Sequence, residues 1–275
     1  MLKRIISSLV ALPVLIFVVV MGGWALKTAV FAAVFIAMYE LYEAISKKRM
    51  SVHYVGYVFA AIYLYFIDNT NVGNVMTVIL ISFTLMVTSL LVIFHTRINV
   101  MDCAATMFGF YYVTVPLSLV YLVREGNGGL FLVWIIFISA WGCDTGAYFT
   151  GKAFGRHKLI PSLSPNKTVE GAIGGIVVAS ALSVVYAAVM VPLTDIKQVY
   201  DFETMFPLLV RYAVIGAGGA VFAQLGDLAA SAIKRYTQIK DFGSILPGHG
   251  GIMDRFDSVL FTAPAVYLIS MLVIR

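Results

Sequence analysis

The sequence predicts an all-α polytopic membrane protein of about nine transmembrane helices, with its N-terminus inside and its C-terminus outside. Three observations predict it. Of 275 residues, 61% are hydrophobic and 12% charged, with a mean hydropathy of +0.93; soluble domains carry roughly 25% charged residues. The apolar residues form runs near the length of about 20 residues that a helix needs to cross hydrocarbon. The basic residues fall in alternate connections, the bias that orients membrane helices. The net charge of +5 is therefore not gathered into one patch, and nucleic acid is not an expected partner.

Nine spans are expected: Ile5–Val20, Ala25–Ile45, Tyr54–Ile67, Val75–Phe94, Ala104–Val123, Leu130–Thr150, Gly171–Val191, Leu208–Ala232 and Phe256–Ile274. Lys3 and Arg4 before the first run resemble the start of a signal peptide, but Met21-Gly-Gly-Trp offers no small-x-small cleavage site, so a retained span is expected. Tyr54–Ile67 is the weakest span, short and aromatic, and a re-entrant segment is its alternative. On this layout only Lys27, Arg124, Lys197, Arg211 and Arg275 of the 19 basic residues lie outside. Cys103 and Cys143 lie in or beside spans and read as buried thiols, not a disulfide. The chain reads as one membrane-embedded domain, with 1–123 mainly scaffold and 130–275 the chemistry-bearing half. Glu40 and Glu43, near the inner end of the second span, are expected to snorkel to the headgroups, with the lining of a polar cavity as the alternative. His53 is expected at the interface, without a local partner.

The inner connections carry the chemistry. Asp144, Tyr148 and Lys152 are spaced four apart and share one helix stripe. Asp144 lies about two turns inside the span, too deep for a plain surface acid, and a polar cavity is the favoured reading over simple pairing with a base. The loop from Lys152 to Glu170 adds Arg156, His157, Lys158 and Lys167, and Thr168 suits a helix N-cap with Glu170 in the first turn. Lys167 beside that positive helix end makes a phosphate seat. No Walker pattern is present, which excludes a P-loop site.

The eighth span places Gln224, Asp227, Ser231, Lys234 and Arg235 within an arc of roughly 100°. A membrane helix with one polar stripe faces a cavity or partner helices. Asp227 offers hard oxygen to Mg²⁺, and Lys234 and Arg235 suit phosphate. Next come Lys240 and a loop holding Gly243, Gly248, His249, Gly250 and Gly251, whose backbone amides suit a ligand's phosphates. Asp254 and Asp257, at i and i+3 around Arg255, open the ninth span. Acids and bases gathered at one membrane face suit divalent metal and polyphosphate. These residues alone point to a membrane enzyme that moves a phosphate-containing group onto or off a lipid, and leave the nucleotide open.

Ser231-x-x-Lys234-Arg235, four residues, Lys240-Asp241, then Pro247-x-His249-Gly250-Gly251-x-x-Asp254-Arg255-x-Asp257 resembles the signature of the phosphatidate cytidylyltransferases, or CDP-diacylglycerol synthases. Asp144-Thr-Gly-Ala-Tyr148 and Ser164-Pro-Asn-Lys167-Thr-Val-Glu170-Gly resemble that family too. The resemblance implies transfer of a cytidylyl group from CTP to phosphatidic acid, giving CDP-diacylglycerol and pyrophosphate. It implies Mg²⁺ at acids matching Asp227 and Asp254, a second, monovalent cation such as K⁺, a homodimer, and residence in the cell membrane with the site facing the cytoplasm. Asp144 would take the second cation or position the lipid phosphate. Lys167, Lys234, Arg235 and Arg255 would hold phosphate oxygens, with Ser231, Lys240, His249, Gly250, Gly251 and Asp257 completing the site. The Asp-x-x-Asp-Gly-x-x-Ala-Arg opening of CDP-alcohol phosphotransferases is absent. A polyprenol kinase using CTP and a transporter of anionic solutes are the rival readings.

Overall fold

The computed structural model describes residues 2–46, 52–69, 72–193, 205–245 and 250–273, with the side chains of 2–8, 10 and 72 left aside. Its helices are α1 (Leu2–Met21), α2 (Gly23–Ile45), α3 (His53–Tyr65), α4 (Val72–Ile93), α5 (Val100–Gly109), α6 (Val115–Glu125), α7 (Gly129–Phe154), α8 (Val169–Met190), α9 (Met205–Thr237) and α10 (Met253–Val273). A π-helical turn over Phe110–Thr114 joins α5 to α6, so the two act as one rod. Among the described residues, seven helices are long and apolar enough to cross a membrane. They are α2, α4, the α5–α6 rod, α7, α8, α9 and α10, and each coincides with an expected span. Of the other two expected spans, Ile5–Val20 lies within α1, which has 20 residues, and Tyr54–Ile67 falls on α3, which has 13. At 1.5 Å per residue α3 reaches about 20 Å, short of the roughly 30 Å hydrocarbon core.

The helices cluster into two compact units. One comprises 1–118 with 237–255, the other 119–236 with 256–275. In the first, Tyr42 of α2 stacks on His53 of α3, ring centroids 4.3 Å apart, and donates its hydroxyl to the Thr106 carbonyl of α5 at 3.0 Å. His53 Nδ1 meets the Thr106 hydroxyl at 2.8 Å. The expected interfacial position of His53 is thus corrected, since it is buried at 6% exposure with a partner remote in sequence. A run of aromatics, with Phe83 against Phe110 and Tyr63 edge-on to Phe110, fills the centre of this unit. Asn99 and Asp102 form a reciprocal capping box at the start of α5.

In the second unit α7 and α8 run antiparallel at close range. The sequence there is rich in small residues, which let membrane helices approach and gain dispersion contacts that lipid cannot supply. Gly175 shows how close: a methyl group on it would lie 2.7 Å from the Cys143 carbonyl oxygen. Cys103 and Cys143 are free and buried, as expected.

The connection between α7 and α8 departs from an all-α reading. Residues Lys158–Ile160 (β1) and Ser164–Thr168 (β2) form an antiparallel hairpin with Lys158 opposite Thr168. Helix formation is blocked there by Pro161 and Pro165, and the strands give the backbone outside α7 and α8 its hydrogen-bond partners. Thr168 ends β2 and caps α8, its hydroxyl accepting from Gly171 N at 3.1 Å. Glu170 reaches back and accepts from the amides of Arg156 at 3.0 Å and His157 at 3.2 Å, and pairs with His157 Nδ1 at 2.6 Å. The hairpin is therefore pinned at both ends to the N-terminus of α8.

Replacing Thr168 with Ala removes that cap. The expected loss is about 1 kcal/mol, read as a lower midpoint of thermal unfolding in detergent, with Thr168→Ser retaining most of the wild-type value.

Candidate active site

Helix α9 has 33 residues and is about 50 Å long. It exceeds the hydrocarbon thickness, so its last turns, with Lys234 and Arg235, have room to extend beyond the lipid. Asp227 sits ten residues before the end, inside the span. Its carboxylate is half-buried and forms an ion pair with the ammonium of Lys167, on strand β2. The strand register and the Thr168 cap fix where Lys167 emerges, so the hairpin delivers a base to a membrane acid. Isolated in lipid either charge is costly; together they are tolerated.

One turn before Asp227, Gln224 locks α9 to its neighbours. Its Nε2 donates to the Ala172 carbonyl of α8 at 2.9 Å and approaches Cys143 Sγ of α7 at 3.2 Å. Cys143 in turn contacts the Ala220 carbonyl at 3.6 Å. Beside Cys143, Asp144 is open to the exterior of the protein at mid-helix. It is within electrostatic range of Asp227, Lys167 and Asp257. Asp257, on α10, accepts from its neighbour Ser258 N at 2.7 Å. The backbone at Asp257 comes close to α9 at Gly226, where a Cβ would lie 2.6 Å from the Asp257 carbonyl oxygen. The residue that admits α10 is thus the one just before Asp227.

The structure therefore brings Asp144, Lys167, Asp227 and Asp257 into one carboxylate-rich cluster in the second unit. Ser231 and Lys234, half-buried, and Arg235, exposed, follow on the same helix. Lys152 lies 6.0 Å above the Tyr148 ring on α7.

Asp254 belongs to the first unit. Its Oδ2 accepts from Phe242 N at 2.8 Å and Gly251 N at 3.1 Å, closing the base of the glycine-rich loop. Gly250 has φ +80°, a conformation open to glycine. Lys240, Asp241 and Arg255 are exposed. His249 lies outside the described residues.

One acid escaped the sequence reading. Glu40 does not snorkel: it is 2% exposed, and its two oxygens accept from Ile252 N at 3.1 Å and Met253 N at 2.8 Å. The expected headgroup position is corrected because two buried amides at the start of α10 offer it better hydrogen bonds than the interface does. The signal available in sequence was weak: an acid flanked by Met38, Leu41 and Tyr42, all of them buried here.

Among the described residues no three His, Cys, Asp or Glu side chains form a ready-made metal cage. The Lys167 ammonium already occupies a cation position against Asp227. A carboxylate has about four lone-pair sites, so the amides on Asp254 Oδ2 leave it chemically able to take a cation.

The model of the cytidylyltransferase family matches residues 2–273. The chain belongs to the cytidylyltransferase family. It is similar to the phosphatidate cytidylyltransferase of Staphylococcus haemolyticus (strain JCSC1435), 34% identical over 268 residues that cover 97% of each chain. It is also similar to the phosphatidate cytidylyltransferase of Staphylococcus aureus (strain COL), 35% identical over 270 residues with the same coverage. The match covers residues of both units, the acidic cluster of this cytidylyltransferase included.

Gly226→Ala tests the close approach of α10 to α9. The added methyl meets backbone, which does not yield, so a loss of roughly 1–3 kcal/mol is expected. Gly218→Ala, which meets only the tip of Ile269, is the control and should cost less in the same detergent melt.

Proposed function

We propose that the protein transfers a cytidylyl group from CTP to phosphatidic acid, giving CDP-diacylglycerol and pyrophosphate. The observation that carries this reading is the Lys167–Asp227 ion pair set among Asp144 and Asp257, within helices otherwise suited to lipid. The full-length similarity to proteins named phosphatidate cytidylyltransferase supports it. A phosphate oxygen of phosphatidic acid attacks the α-phosphorus of CTP. The bond from that phosphorus to the bridging oxygen of the β-phosphate breaks, and pyrophosphate leaves. The lipid phosphate is itself the nucleophile, so no covalent intermediate with the protein is required.

Lys167 binds phosphate oxygens once its charge is shared with a nucleotide, and Asp227 fixes where its ammonium sits. Lys234, Arg235 and Arg255 add positive charge for the triphosphate and the departing pyrophosphate. Ser231, Lys240, His249, Gly250 and Gly251 complete the nucleotide contacts, and Asp257 keeps the local charge negative enough to favour cations. Asp227 and Asp254 would hold Mg²⁺, which would supply charge neutralisation to the triphosphate. Asp144 would take a monovalent cation such as K⁺ or orient the lipid phosphate. The enzyme is a homodimer of the cell membrane, with 130–275 as its catalytic half and the site on the cytoplasmic side. The outward scarcity of Lys and Arg supports that orientation.

The decisive assay combines purified protein, phosphatidic acid, labelled CTP and Mg²⁺. Labelled liponucleotide with one pyrophosphate per turnover is expected; release of CDP would indicate a lipid kinase, and no labelled lipid at any metal concentration overturns the reading. Asp227→Asn and Asp254→Asn should each lower turnover about a hundredfold or more while the protein remains folded, and a near-normal rate in either removes that residue from the metal site.

Orientation has its own test. Because both native cysteines are buried, a single Ser162→Cys in the exposed hairpin turn reports its side of the membrane. An impermeant maleimide should label it in inverted vesicles and not in intact cells, and the reverse pattern places the hairpin outside.

A further inference from the structure

The start of α10 is held by a carboxylate 212 residues upstream in sequence. A helix begins with amides that have no partner within the helix, and it carries partial positive charge there. Asn, Ser, Thr or Asp at the N-cap ordinarily answers this from the same segment. Here the residue before α10 is Ile252, which has no polar side chain. Glu40 of α2 supplies the acceptors instead: Oε1 takes Ile252 N at 3.1 Å and Oε2 takes Met253 N at 2.8 Å. The carboxylate is 2% exposed and out of reach of a substrate.

Its surroundings are shaped to admit it. A Cβ on Gly243 would overlap Glu40 Oε1, and one on Gly251 would overlap Oε2. The two glycines lie on opposite limbs of the glycine-rich loop. Asp254 joins the same limbs from the other side, through the amides of Phe242 and Gly251. Two carboxylates thus gather four backbone amides from residues 242 and 251 to 253. Glu40 and Asp254 also lie within electrostatic range of one another. All these residues lie in the first unit.

We propose that Glu40 is a positioning residue for the reaction: from α2 it sets the start of α10 and the base of the glycine-rich loop, and so fixes where Asp254 presents its carboxylate. This rests on the cytidylyltransferase reading above. Glu40 touches no substrate. It acts through backbone it holds in place, and Gly243 and Gly251 are glycines because the carboxylate occupies the space their side chains would need.

Glu40→Gln is the primary test, because it keeps the shape and replaces one acceptor oxygen with an NH₂ group that faces an amide N–H. Three results are expected in the full-length protein. Hydrogen exchange in the peptide covering 250–255 accelerates, while peptides from α7 and α8 keep their protection. The Mg²⁺ concentration for half-maximal rate rises at least about tenfold. The KM for phosphatidic acid stays within about twofold of wild type, a split that general loss of structure would not give. A second comparison guards against misfolding. Gly251→Ala alone should reproduce the exchange defect, whereas in a Glu40→Ala background it should add little, because the methyl then enters vacated space.

Unchanged exchange at 250–255 in Glu40→Gln, or an unchanged Mg²⁺ requirement, overturns the proposal. So does full additivity of Glu40→Ala and Gly251→Ala. If the wild-type protein itself makes no liponucleotide, the functional reading fails separately; the exchange experiment then still decides whether Glu40 holds the start of α10.

Discussion

A charge within an apolar helix has no water to solvate it and must be answered from elsewhere in the protein. Asp227 meets that requirement through Lys167, and much of the second unit follows from the pairing. The lysine arrives on a strand, because a helix continuing from α7 would carry it elsewhere. The strand ends at Thr168, whose hydroxyl caps α8, and Glu170 ties the entry of the hairpin to that same helix end. On the acid's side, Gln224 holds α9 against α7 and α8 one turn away. A single buried-side ion pair is thus served by a cap, a hairpin and an amide bridge. Without them two charges would be left partly desolvated and misplaced.

Backbone satisfaction imposes the same discipline on the first unit. The glycine-rich segment leaves α9 and must start a new helix without a polar N-cap of its own. Its amides are collected by Asp254 from within the segment and by Glu40 from α2. The amides at 242 and 251–253 are thus held by hydrogen bonds from both near and remote acids. A family signature read only as a row of ligands misses this: Asp254 closes its own loop as well as offering a carboxylate.

Membrane character and the positions of the seven long spans were legible in the sequence, as was the presence of acids within those spans. Hydropathy is additive along the chain, and acids such as Asp144 and Asp227 stand out because lipid penalises them. The polar stripe of α9 followed from helical periodicity alone. The short helices were less legible, since thirteen residues of mixed aromatic and apolar character, as in α3, satisfy a hydropathy search without the length to cross. Strands β1 and β2 carried no alternating pattern long enough to read. His53 and Glu40 were misread for a common reason. A polar residue near a helix end defaults to the interface unless a partner is known, and their partners, Thr106 and the amides of Ile252 and Met253, lie 53 and more than 200 positions away.

By itself the sequence determined that the chain forms apolar helices long enough to cross a membrane, and that a few acids and bases stand apart within them. Those properties depend on composition and on spacing within one helix. Tertiary structure alone decided that Lys167 meets Asp227, that Gly226 lets α10 approach beside that acid, and that Glu40 is an internal cap and not a headgroup contact. Each of these is a meeting of groups remote in sequence, settled by which helix faces pack and which buried donors still lack an acceptor. Periodicity names the face a residue occupies; packing decides what stands opposite it.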